Sequence, residues 1–339
     1  MPPLLRLLFA LAALLLGLPA LADPAPPPAY PGVGYQTLEM PDPAGGTVEI
    51  AVWYPAAADA PLAVAHSGSY PLRLATDAPV RGEHRPLVVM SHGNGGESGS
   101  HWDTAVALAR AGIVAAALTH TGDNWRDQSR AVHLPERPRQ LKLLVDYMLA
   151  DWTGHATIDP GRIGAFGFSS GGFTVLALAG GEPDLSATGP HCSAHPTYYD
   201  CQLITRFPGA AAAIARARPV WIHDRRIRAV VAAAPAMGFA FGQAGLASVT
   251  QPLQLWRAAD DHVLPHPDYA QAVRDALPTP PEYHVVPGAD HYDFLPPCNE
   301  LLRRNAPVIC ASPAGFDRAA FHETFNREVV AFFVRTLGG

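Results

Sequence analysis

Gly167-Phe168-Ser169-Ser170-Gly171 sets a serine two residues from a glycine on either side. A serine hydroxyl can attack a carbonyl carbon and carry the acyl group as a covalent ester, provided that a base takes its proton. The setting of the five residues adds weight to the match. The apolar run Ile163–Phe168 before them has the character of a buried strand, and the segment after them, Phe173–Ala179, reads as a helix. A nucleophile on so tight a strand-to-helix turn brings the residues two before and two after it together, and only small side chains fit there. Gly167 and Gly171 meet that demand for Ser169, whereas Ser170 would place Phe168 in the crowded position. Ser169 is therefore the expected nucleophile.

The base and its orienting acid should come later in the chain, each from a turn after a strand, in the order nucleophile, acid, base. Leu253–Trp256 runs into Arg257-Ala258-Ala259-Asp260-Asp261-His262-Val263-Leu264-Pro265, and Tyr283–Val286 runs into Pro287-Gly288-Ala289-Asp290-His291. Both turns would sit at the carboxyl ends of strands, where open α/β sheets bind their ligands. His291 is the expected base and Asp261 the expected acid, with Asp260 as the neighbouring alternative. His262 and His266 read as ordinary surface histidines. A tetrahedral intermediate also needs donors for its oxyanion. Ser91-His92-Gly93-Asn94-Gly95-Gly96 follows the apolar run Leu87–Met90, and its glycines let backbone amides turn toward a substrate. The expected donors are the backbone N–H groups of Asn94 and Ser170, with His92 a packed structural residue. The loop has neither the G-x-x-x-x-G-K spacing nor the lysine of a phosphate-binding loop. Together these residues spell two-step acyl transfer.

Such a cluster needs a sheet to carry it. Thr47–Tyr54 alternates like a half-exposed strand. Leu87–Met90, Ile113–Leu118, Ile163–Phe168, Ile227–Ala234, Leu253–Trp256 and Tyr283–Val286 are short apolar runs suited to strands buried on both faces. Helical stretches lie between and after them: Trp102–Ala111, Arg139–Trp152, Phe173–Ala179, Tyr269–Leu277 and Ala319–Thr336. The alternation predicts a mostly parallel central sheet with helices on both faces. Residues 35–339 form that domain. A Pro- and His-rich excursion at about 182–224 breaks the rhythm and is read as a small cap over the site, with a peripheral insert as the alternative. Trp125, Tyr198, Tyr199, Met237 and Phe239 are the candidate walls of a substrate pocket.

Residues 1–22 carry one arginine, an apolar stretch from Leu7 to Leu18 and Ala20-Leu21-Ala22, which together read as an export signal cleaved after Ala22. The apolar stretch is short for a bilayer span, so no stable membrane anchor is expected after cleavage. Residues 23–34 read as a Pro-rich linker. Export to a periplasm or the medium makes disulfides the natural reading of the four cysteines. Local pairing, Cys192 with Cys201 and Cys298 with Cys310, is preferred, and the spacings do not suit a metal site. The whole sequence has 24 Lys+Arg against 30 Asp+Glu and no long basic run, which argues against a nucleic-acid partner. At 48% hydrophobic and 16% charged residues, it is not a disordered chain.

The four blocks Ser91–Gly96, Gly164–Gly172, Asp261–Pro265 and His291–Leu295 resemble those of the α/β-hydrolases. More narrowly, they are similar to the bacterial dienelactone-hydrolase-like group related to platelet-activating-factor acetylhydrolases. The resemblance implies the α/β-hydrolase fold and a carboxylic ester hydrolase that needs no cofactor or metal and acts on small-molecule esters. It favours Asp261 over Asp260, because D-x-V-L-P matches the acid turn, and it favours Asn94 as an oxyanion donor. Dienelactone hydrolases use cysteine where this chain has Ser169, so ordinary short-chain or aromatic esters are expected instead of dienelactone. A peptidase or amidase on the same fold, and a lipase or phospholipase, are the alternative activities.

Overall fold

The computed structural model describes residues 26–338, so the expected export signal lies outside the described residues. Ten strands form one sheet: β1 (Ala29–Pro41), β2 (Thr47–Pro55), β3 (Ala63–Ser67), β4 (Tyr70–Thr76), β5 (Arg85–Ser91), β6 (Val114–Leu118), β7 (Ile158–Phe168), β8 (Ile227–Ala233), β9 (Leu253–Ala258) and β10 (Glu282–Val286). Their order across the sheet is β10-β9-β8-β7-β5-β6-β2-β1-β4-β3. From β10 to β6 every neighbouring pair is parallel. β2 then joins antiparallel to β6, and β1 antiparallel to β2.

The main helices are α1 (Trp102–Arg110), α2 (Glu136–Ala150), α3 (Ser170–Leu178), α4 (Thr188–Ala194), α5 (Tyr199–Thr205), α6 (Ala210–Arg216), α7 (Gln243–Leu246), α8 (Ala270–Ala276), α9 (Glu300–Asn305), α10 (Pro307–Cys310) and α11 (Arg318–Leu337). Successive strand residues face opposite sides of the sheet, and β5 shows the result. Leu87 and Val89 join the core that includes Leu141, Leu144, Val145 and Met148 of α2. Val88 and Met90 face the other way, into a core with Ala105 and Leu108 of α1 and Phe325, Val329, Phe332 and Phe333 of α11. The continuous apolar runs thus reflect two buried faces, as expected for the parallel part of the sheet.

The amino-terminal part differs from the expectation. Residues 29–34, read as linker, belong to β1, which pairs with β2 over Val33–Pro41 and with β4 on its other edge. Prolines mark extended backbone, and pairing with distant partners turned that backbone into a strand. β3 and β4 were not anticipated either. Between α3 and β8 the insert folds into short helices, α4 to α6, and a disulfide joins Cys192 in α4 to Cys201 in α5. A second disulfide joins Cys298 to Cys310, at the end of α10. Both are the local pairings. Among the described residues no helix is long and apolar enough to cross a membrane.

Candidate active site

Ser169 stands between the last residue of β7 and the first of α3, with φ 55° and ψ −118°. That left-handed backbone costs a non-glycine residue about 1–3 kcal/mol, and hydrogen bonds on both sides hold it. Ser169 N donates to Ala233 O at 2.9 Å, while Ser169 O accepts from Ala236 N at 2.9 Å and Phe173 N at 3.1 Å. The flanking glycines are forced by contact. A Cβ on Gly167 would lie 2.0 Å from Gly171 O, and one on Gly171 would lie 1.8 Å from Ser91 O.

His291 opens a short 3-10 turn after β10, and its imidazole is buried. Nε2 lies 3.0 Å from Ser169 Oγ, and Nδ1 lies 2.8 Å from Asp261 Oδ2. Asp261 Oδ1 accepts from the backbone amides of Val263 at 2.9 Å and Leu264 at 2.6 Å. These bonds fix the carboxylate so that one oxygen is left for the imidazole, which then presents its other nitrogen to the serine. Asp260 is exposed, and it is the Asp261 carboxylate that bonds to the imidazole. Phe168 covers the imidazole with a ring-centroid separation of 4.8 Å. Asp290 caps the turn that carries His291: its Oδ1 accepts from His291 N at 2.7 Å and from His262 N at 2.9 Å.

The Gly-rich loop after β5 lies against Ser169, since a Cβ on Gly93 would come 3.3 Å from Ser169 Cβ. A polar network that the sequence did not reveal shapes this loop. Asp123, from the loop after β6, accepts from Asn94 Nδ2 at 2.6 Å and Gly95 N at 3.1 Å through Oδ1. Its Oδ2 accepts from buried Arg137 at 2.5 Å, and Arg137 also donates to His92 O. Tyr199 Oη in the insert donates to Asn94 Oδ1 at 2.6 Å. Burial raises the Tyr199 phenol, so it keeps the proton it donates. Burial also lowers His92 to about 3, leaving a neutral imidazole whose Nε2 accepts from His120 N at 3.0 Å. His92 is a structural residue in this arrangement. The amides of Asn94 and Ser170 have no protein acceptor among the described residues.

The same architecture occurs in solved structures. A ferulic acid esterase from Streptomyces cinnamoneus superposes with a TM-score of 0.62 at 20% identity, over 91% of this chain and 90% of that one. A dienelactone hydrolase from Anabaena variabilis superposes with a TM-score of 0.51 at 13% identity, over 91% of this chain and 100% of that one. The chain has the α/β-hydrolase fold. In sequence, NocK of Nocardia uniformis subsp. tsuyamanensis, a protein named as an esterase, is 32% identical over 119 residues. That match covers 34% of this chain and 35% of NocK, so it spans about a third of the relative's length. No family model matches the chain.

The cleft beside Ser169 is narrow, with about 40 Å³ of free space, lined by Ser169, Ser170, Tyr199, Asp200, Leu203, Ile204, Ile214, Ala236, Met237 and Leu264 together with Ala131, Val132 and Leu134. Tyr199 and Met237 stand where the sequence suggested. Trp125 and Tyr198 do not. Trp125 is 59% exposed and lines a separate groove with Tyr35, Glu49 and Glu97. Its backbone N donates to Gly96 O at 3.3 Å, and the Arg126 guanidinium lies over its ring at 4.8 Å. Tyr198 stacks on His195 instead, and Phe239 stacks on His191. The apolar wall from α5 and α6 was missed. The i, i+4 pair Tyr199 and Leu203 in α5 was the signal available for it. Donor atoms of His191, His195 and Asp268 also gather within 4.8 Å of one another beside the insert.

Proposed function

We propose that the chain is a carboxylic ester hydrolase that works through an acyl-enzyme on Ser169. The supporting observation is the continuous line of hydrogen bonds from Asp261 through His291 to Ser169, with Nε2 3.0 Å from Oγ. In the first step His291 Nε2 takes the hydroxyl proton as Oγ bonds to the ester carbonyl carbon, and the Asp261 carboxylate stabilises the imidazolium. The amides of Asn94 and Ser170 receive the oxyanion. Collapse of the tetrahedral intermediate breaks the bond to the alcohol oxygen, which leaves with the proton from His291. Water then gives its proton to His291 and attacks the acyl carbon. The second tetrahedral intermediate releases the carboxylic acid and returns the proton to Ser169. Esters with short acyl or aromatic groups suit the apolar walls, and the esterase names of the similar proteins support the ester class. The insert acts as a cap over the cleft. The chain is exported, a reading that the two disulfides support.

The test is a panel of p-nitrophenyl esters of graded acyl length beside a peptide p-nitroanilide, with and without a serine-directed phosphonate. Ester turnover abolished by phosphonate is expected, with the label on Ser169. Ser169→Ala should lose turnover by several orders of magnitude, about 10⁴-fold or more, as when one member of an interdependent triad is removed. Anilide preferred to ester would replace the esterase by a peptidase, and a protein that takes no phosphonate would overturn the catalytic reading altogether.

A further inference from the structure

Apart from Ser169 and Ser170, the polar side chains of the cleft are Tyr199 and Asp200. The Tyr199 hydroxyl is committed to Asn94. Asp200 is different. It is 8% exposed, and its Oδ1 accepts from Tyr269 Oη at 2.9 Å and from Cys201 N at 2.9 Å. Its Oδ2 is buried and has no hydrogen-bond partner. A secluded carboxyl oxygen without a donor is costly to keep, and Tyr269 and Cys201, bonded to Oδ1, fix the carboxyl in the wall of the cleft that Ser169 also lines. The remainder of the wall is aliphatic.

We propose that Asp200 Oδ2 is the recognition point for a hydroxyl group on the acyl part of the substrate, and that the enzyme acts on esters of short hydroxy acids. This rests on the ester-hydrolase reading of Ser169. The acyl part remains attached to Ser169 while the alcohol departs, so the narrow cleft is suited to the acyl group. Its free space of about 40 Å³ accommodates about three waters, or a chain of similar size. A hydroxyl is favoured over other polar groups because it donates to a carboxylate and accepts from a carboxylic acid, so it satisfies Asp200 in either state. Burial raises the Asp200 carboxyl, which brings the neutral state closer and disfavours a cationic substrate.

The test compares p-nitrophenyl 3-hydroxybutyrate with p-nitrophenyl butyrate, which differ by that hydroxyl alone. The unaltered protein should favour the hydroxy ester roughly tenfold or more in kcat/KM, the size of effect that one satisfied buried hydrogen bond produces. In Asp200→Leu the ratio should fall to about one or below. The ratio is taken within each protein, so a partly unfolded preparation leaves it unchanged. A ratio near one in the unaltered protein overturns the proposal, as does an undiminished ratio in Asp200→Leu or a stronger preference for a 3-aminobutyrate ester. If neither ester is cleaved and Ser169 takes no phosphonate, it is the hydrolase reading that fails.

Discussion

In the proposed reaction the side chains around Ser169 divide into those that move protons and those that hold the others still. Asp261 and Asp260 are adjacent, yet only Asp261 reaches His291, because the amides of Val263 and Leu264 turn its carboxylate inward. Asp261→Asn should lower kcat for ester turnover by about 10⁴-fold, through loss of the required imidazole tautomer. Asp260→Asn should remain within about twofold of the unaltered protein. Equal losses in the two variants would refute this division of labour. Tyr199 is a positioning residue. It stabilises Asn94 through the side chain, and the Asn94 amide is the one proposed to meet the oxyanion. Tyr199→Phe should lower kcat about tenfold with little change in KM, the loss expected when one hydrogen bond serves the transition state alone. A rise in KM at constant kcat would show Tyr199 to be a wall of the binding cleft and nothing more.

At the scale of elements, His291, the proposed base, depends on a loop braced from behind. Asp293, two residues after His291, accepts from Arg318 Nε at 2.9 Å and Ser312 Oγ at 2.5 Å, and its backbone oxygen accepts from His322 Nε2 at 2.9 Å. Arg318 also donates to the carbonyls of Ile309 and Ala311, which flank Cys310. The Cys298–Cys310 disulfide therefore closes the segment that holds the catalytic loop against α11. A double Cys298→Ser, Cys310→Ser variant should lose ester turnover at temperatures where its circular dichroism is still native, along with about 2–3 kcal/mol of stability. Turnover that persists until global unfolding would show that the brace does not depend on the disulfide. The strand-to-helix turn at Ser169, the turn that carries His291 and the parallel strands were legible in the sequence because tight-turn chemistry and apolar periodicity are local signals. The strand from Ala29 and the Asp123–Arg137 pair were not. Both depend on partners brought together by the fold, and proline-rich composition suggests extended backbone without saying what it pairs with.

Across the whole molecule, three histidines are sealed in the core around the oxyanion loop and α1. Burial lowers His92 and His101 to about 3 and pushes His120 well below the ordinary imidazole value of 6.5. Each folded value is below the unfolded one, so the stability these groups support is fully present above about pH 6.5 and is lost as the pH falls toward 3. Each should contribute a slope approaching about 1.4 kcal/mol per pH unit once the unfolded histidine is protonated. Thermal unfolding followed from pH 7.5 to 4.5 should show a Tm that declines below pH 6.5, with proton uptake on unfolding. A constant Tm over that interval would mean that the buried imidazoles bind protons in the native state.

The first turn of α5 is tied in three directions by consecutive residues: Tyr199 to Asn94, Asp200 to Tyr269, and Cys201 to Cys192. Two of those ties end outside the insert, in the Gly-rich loop and just ahead of α8. An engineer who grafts residues 182–224 onto a different hydrolase scaffold to transfer selectivity would leave both outer ties without an anchor. The portable module is the insert together with positions 94 and 269, and a chimera built from those pieces should inherit a rigid roof where the shorter transplant would inherit a slack one.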